Sequence, residues 1–157
     1  VSNKEIREDE DGVLWSDYTL EYAYKRTVGP VIGRCLTDLR DGKLTGVKTS
    51  DGRVLFPATE YDPLTGEDVD DFVEVGESGE VTTWAWVPEP RKKHPLDEPF
   101  AWALIKLDGS DTPFLHAVKA ESESSVQTGM RVRAVWKQER EGSILDVHYF
   151  EPETTDE

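Results

Sequence analysis

The runs GEVTTWAWVPEP (79–90), FAWALIKLD (100–108), TPFLHAVKA (112–120), MRVRAVWKQE (130–139) and SILDVHYFEP (143–152) decide the fold of this chain. Each is rich in β-branched and aromatic residues and is bounded by turn formers, the pattern of a strand. Alternation sends Val81, Thr83, Ala85 and Val87 to one face and Thr82, Trp84 and Trp86 to the other. Met130, Val132, Ala134 and Trp136 alternate in the same way with Arg131, Arg133, Val135 and Lys137. So do Ile144, Asp146, His148 and Phe150 with Leu145, Val147 and Tyr149. Five short strands between residues 79 and 152, with no helix-length gap, predict a closed barrel of the OB type in a mainly β protein. Closure removes the free edges that a lone five-stranded sheet would expose.

Upstream of the barrel the punctuation changes. Residues 1–14 are acidic and apolar-poor and read as a flexible arm. Residues 15–43 read as a helical lead made of a helical pair. The first helix runs through LEYAYKRTV, is capped by Ser16 or Thr19, and stops at Gly29-Pro30. The second runs from Pro30 to Arg40, with Ile32, Cys35, Leu36 and Leu39 as one apolar stripe and Gly42 as the stop. Residues 44–78 hold two turns, at Asp51-Gly52 and Asp62-Pro63-Leu64-Thr65-Gly66, with a short strand from Val54 to Phe56 between them. An acidic connector follows, anchored by Phe72, Val73 and Val75. The barrel occupies 79–152, and the acidic tail, 153–157, reads as disordered.

Bulk properties narrow the class. The 157 residues suffice for one domain or a barrel with a small appendage. A net charge of −15 opposes a nucleic-acid role, because a duplex binder needs a basic face to displace counterions. The single cysteine, Cys35, excludes an internal disulfide framework and points to a reducing, cytoplasmic setting. VSNKEIREDEDG lacks the apolar core of a signal peptide. No run approaches the roughly 20 apolar residues of a membrane span. A soluble, intracellular protein is expected.

Several blocks match a known family. VLFP followed by EYDPLTG, then GEVTTWAWV, PFAWALIKLDG, FLHAV and TGMRVRAVW occur in an order that resembles the domain-of-unknown-function-35 family over roughly residues 15–152. The resemblance implies a short helical lead, a rubredoxin-like zinc ribbon and an OB-fold. The ribbon of that family carries a CxxCG turn and a CPxCG turn, whose thiolates close a tetrahedral zinc site. Here the four cysteine positions are Lys48, Asp51, Asp62 and Thr65, a poor donor set for zinc. A metal-free ribbon remnant is expected, with an ion pair of Lys48 to Asp51 or Asp62 as a weak substitute.

The resemblance also implies a role. Similar proteins assemble with thiolase-like enzymes, among them sterol-carrier-type thiolase homologues that act as retro-aldolases on steroid side-chain CoA esters. This chain is then expected to be a non-catalytic scaffold subunit in a hetero-oligomer around a catalytic dimer. It would bind no cofactor by itself, and a CoA ester would be the substrate of the complex. The residues agree with such a role, because the sequence holds no nucleophile–base pair at close spacing, no phosphate loop and no strong metal motif. Arg91, Lys92, Lys93 and His94 form the dense positive cluster of the chain and suit CoA phosphates; the alternative is a solvated loop. Trp84, Trp86 and Trp102 can lie close on neighbouring strands and, with Tyr22 and Leu36 of the lead, mark a partner interface or channel. His116 joins that group as a channel residue; its default is a satisfied core or rim histidine. His148 beside Asp146 could orient an imidazole, but a surface pair is the default. Cys35 reads as a small buried hydrophobe. Two other readings stay open. One is a single-strand nucleic-acid binder using Arg131, Arg133 and Lys137. The other is a free-standing acyl-CoA-binding protein.

Overall fold

The computed structural model describes residues 6–153 apart from Thr19 and Arg26. Two short strands, β1 (Arg7–Glu8) and β2 (Leu14–Trp15), pair first. The helix α1 (Pro30–Arg40) follows, then a three-stranded sheet of β3 (Thr45–Lys48), β4 (Val54–Leu55) and β5 (Asp71–Glu74) in the order β4-β3-β5. The last five strands are β6 (Ser78–Val87), β7 (Phe100–Leu107), β8 (Pro113–Val118), β9 (Arg131–Trp136) and β10 (Val147–Pro152). They form a closed barrel in the order β10-β8-β7-β6-β9, with β10 parallel to β8 and all other pairs antiparallel. This is the OB arrangement. Among the described residues no helix is long and apolar enough to cross a membrane.

Closure depends on β6, which pairs with β7 along its length and with β9 at its start. Gly79 faces Leu107 on one side and Val132 on the other. A Cβ at Gly79 would lie 2.6 Å from the Lys106 carbonyl oxygen and 2.9 Å from the Leu107 Cα. The sheet can fold over at this point because nothing projects from the strand. The core runs through the barrel interior, around Val81, Ile105, Leu107, Val118, Val132 and Phe150, and also takes in Leu39, Leu44 and Phe56 from the helix and small sheet. The appendage and the barrel therefore share one core. Hydrogen bonds reinforce the junction: Phe56 N–H donates to Thr112 Oγ1 at 2.8 Å, and Thr112 Oγ1 donates to the Phe56 carbonyl at 2.9 Å.

The elements depart from the sequence-based expectations at several points. The helical pair is one helix, since residues 20–28 contain no helix among those described. Tyr18, Leu20, Tyr22 and Tyr24 recur at every second position, so a helix would scatter them around its axis. A helix this short is not stable without a packed face. The stripe on α1 is also rotated. Val31, Cys35, Asp38 and Leu39 are buried, Ile32 is exposed, and Leu36 is partly buried against the barrel core. The helix serves two clusters at once: Val31 and Cys35 pack on Val47, Leu55 and Val69, while Leu39 enters the main core. Within β6, an irregularity between Val81 and Thr83 shifts the register. Beyond it Trp84 and Trp86 turn toward the barrel core and Thr83 and Ala85 are exposed, the reverse of strict alternation. The last run begins as a 3-10 turn, Ile144–Asp146, so its alternation starts only at Val147.

The β1–β2 hairpin runs from the expected flexible arm, residues 1–14, into the expected helical lead, with Arg7 ion-paired to Asp17 at 2.6 Å and its guanidinium 4.6 Å above the Trp15 ring. The expected disorder of the tail falls mostly on 154–157, outside the described residues.

Candidate interaction surface

The loop between β6 and β7 carries the positive cluster. Its backbone turns at 91–94, where His94 N–H donates to the Arg91 carbonyl at 2.8 Å and Arg91 N–H donates to His94 Nδ1 at 3.1 Å. This turns the His94 ring inward, edge-on to Phe100 at 5.6 Å and Trp102 at 6.4 Å. Leu96 completes the cover, burying Phe100 fully. The four residues thus divide: His94 packs the loop onto the barrel wall, while Arg91, Lys92 and Lys93 are exposed and form no ion pair among the described residues. A cleft lined by Glu98, Lys119, Glu121, Tyr149 and Glu151, with Pro99 and Pro152, carries three carboxylates, and Lys119 is engaged with Glu98 at 3.0 Å. It does not continue the positive loop.

The three tryptophans do not form one patch. Trp84 and Trp86 lie opposite Ala103 and Ala101, small residues that leave room for the indoles against the core. Trp102 lies opposite Ala85 and Ala117, on the other face of the wall, in the cluster under the 88–99 loop. Adjacent strand positions cannot share a face.

His116 is buried, between Phe114 at 5.1 Å and Phe150 at 5.6 Å, with Nδ1 accepting the Ala117 N–H at 2.9 Å. Burial pushes its pKa below the ordinary imidazole value and keeps the ring neutral. Asp146 is turned away from His148. Its carboxylate accepts N–H groups from Glu141 at 3.1 Å, Gly142 at 2.7 Å and Ser143 at 2.9 Å, while His148 lies against the Tyr149 ring. Cys35 is buried, with its thiol directed at the Thr45 carbonyl and its pKa raised by burial. The cations of β9 are paired: Arg131 bridges Asp108 and Glu153, and Arg133 reaches Glu151 at 3.5 Å. A nucleic-acid backbone would have to displace those carboxylates. Leu36, read as interface, is part of the interior packing.

The apolar surface lies elsewhere. Val13, Leu14, Trp15, Tyr18, Leu20, Tyr22, Tyr24 and Val28 are all exposed, with Tyr22 and Tyr24 each 76% accessible. Tyr22, expected at an interface, is one exposed member of this run; the alternation of Tyr18, Leu20, Tyr22 and Tyr24 is the sequence signal that groups it with three of the others. Of the four positions that the family resemblance marked for zinc ligands, Lys48 is exposed, Thr65 Oγ1 accepts the Glu67 N–H at 3.2 Å, and Asp51 and Asp62 converge on Arg53. The substitute ion pair therefore uses Arg53 in place of Lys48.

An OB barrel carrying a helix and a small three-stranded sheet at its N-terminal side defines the class of protein. Residues 72–137 match the family described as the ChsH2 C-terminal OB-fold domain. A DUF35 domain-containing scaffold protein of Pyrococcus furiosus is 30% identical over 115 residues, which cover 70% of this chain and 83% of that protein. The chain belongs to the DUF35 family. Two solved structures share its fold. One is a DUF35 protein of unknown function from Sulfolobus solfataricus, 22% identical with a TM-score of 0.56, covering 69% of this chain and 77% of that one. The other is the Ltp2–ChsH2(DUF35) aldolase, 17% identical with a TM-score of 0.58, covering 82% and 98%.

Proposed function

We propose that this chain is a non-catalytic scaffold subunit of an acyl-CoA enzyme complex, seated on a thiolase-like partner that carries out C–C bond cleavage or formation. The observation that carries the reading is the division of labour among its side chains. His94, His116, Asp146 and Cys35 hold the fold together, while large apolar groups are left exposed along 13–28. Such a run is costly in water and suits a partner surface. The scaffold relative and the aldolase neighbour support the same reading. On this account the partner supplies the reacting groups and the dimeric core. The chain stabilises that partner and borders the CoA or acyl channel, with Arg91, Lys92 and Lys93 near the anionic phosphates. A lipid or steroid side-chain ester is the substrate class the family suggests.

Co-expression with a thiolase-like protein encoded nearby, with the tag on one chain only, tests the proposal. Retention of both through affinity purification is expected; recovery of the tagged chain alone would count against it. Titration of the isolated chain with CoA esters is expected to give weak or no heat. Strong binding would favour a free-standing acyl-CoA-binding protein.

A further inference from the structure

The family resemblance marks Lys48, Asp51, Asp62 and Thr65, at the two turns of the small sheet, as zinc-ligand positions. Gly52 and Gly66 close the turns at φ 92° and 75°. Zinc needs four donors at about 2.0–2.3 Å. Here Lys48 is an exposed ammonium, Thr65 is engaged with backbone, and no group of three or more His, Cys, Asp or Glu among the described residues could hold a metal ion. The site does not fit zinc. We propose that the Arg53 guanidinium occupies the metal's role: it is a covalently attached cation around which both turns close, and the sheet needs no metal.

The geometry is that of a bridging cation. Arg53 Nε donates to Asp51 Oδ2 at 2.7 Å in the first turn, and Nη2 donates to both Asp62 oxygens at 3.0 and 2.8 Å in the second. Planar forked donors suit two carboxylates at once, which a lysine cannot reproduce. Both carboxylates are anchored to their own turns. Asp51 accepts the Thr49 hydroxyl at 2.5 Å, and Asp62, whose side chain is 2% exposed, accepts the Leu64 N–H at 2.9 Å. Removing the cation would leave Asp62 buried without a counter-charge. Ser50 Oγ donates to Glu67 at 3.0 Å and joins the turns a second time, nearer solvent. The clamp also reaches the barrel. Val54, next to Arg53, donates its N–H to Asp111 Oδ2 at 2.8 Å and accepts the Asp111 N–H at 2.8 Å.

Elemental analysis of the full chain, purified without chelator and again after incubation with excess zinc, is the first arm of the test. No stoichiometric zinc is expected, and EDTA should leave the melting midpoint unmoved. In the second arm, Arg53→Met keeps the aliphatic stem and removes the fork. It should lower the midpoint and speed amide exchange at Leu64 and Gly66, with Arg53→Lys recovering part of the loss. If Arg53→Met does not fold, combining it with Lys48→Cys, Asp51→Cys, Asp62→Cys and Thr65→Cys should restore folding in a zinc-dependent way. Three results overturn the proposal: zinc in the parent chain whose removal destabilises it, an Arg53→Met chain as stable and protected as the parent, or a cysteine graft that takes up no zinc.

Discussion

Asp146 shows how a single carboxylate can be structural where its spacing to a histidine suggests chemistry. It is buried, which alone would raise its pKa, but the N–H groups of Ser143, Glu141 and Gly142 outweigh burial and hold it below the usual carboxylate value. The loop it organises also delivers Arg140, whose Nε donates to the Arg40 carbonyl at the end of α1 at 2.9 Å. Because the folded-state pKa lies below the unfolded value of about 3.9, the carboxylate's stabilisation is complete above that value. It is lost as pH falls through the lowered one. Asp146→Asn should cost about 1.5–3 kcal/mol near neutral pH. Urea midpoints measured across the acid range should show a shallower acid decline in the variant. His94 and its cationic neighbours separate in the same way. His94→Ala should lower the melting midpoint because it uncovers Phe100 and Trp102. Replacing Arg91, Lys92 and Lys93 by alanine should leave the midpoint unchanged and, on the proposed reading, raise the KM of the complex for its CoA ester.

Among the elements, β6 carries most of the architecture and defeats the simplest reading of its sequence. Its existence and length are legible from the β-branched and aromatic run. Its register is not, because no residue type announces the irregularity between Val81 and Thr83, and one extra residue turns Trp84 and Trp86 from outside to inside. Gly79→Ala should destabilise the barrel by about 1–3 kcal/mol, since the new methyl meets strand backbone on β7 that has no room to withdraw. Chemical denaturation of the variant would reveal this, and an unchanged midpoint would show that the strand crossing is looser than described. The helix was legible at both ends, from Pro30 and Gly42, but its rotation was not, because two separate clusters pull on it. The segment before it was misread for a definite reason: LEYAYKRTV has helix-forming residues but a strand's period. The Arg53 bridge was hidden because its charge lies between the turns, outside the four positions to which the family resemblance drew attention.

At the scale of the molecule, the main core joins helix, small sheet and barrel, and an exposed aromatic segment precedes them. The acidic balance of −15 and the paired cations of β9 direct the reading toward protein partners. Leu20→Ser, Tyr22→Ser and Tyr24→Ser combined should leave the melting midpoint of the isolated chain unchanged, because these side chains are exposed. The most direct test of the scaffold role is gel filtration with light scattering on the chain co-expressed with a thiolase-like protein encoded nearby. The account predicts one species containing both chains at the mass of a hetero-oligomer around a catalytic dimer, and its loss with the triple serine variant. Two folded proteins eluting separately at their own masses would contradict it.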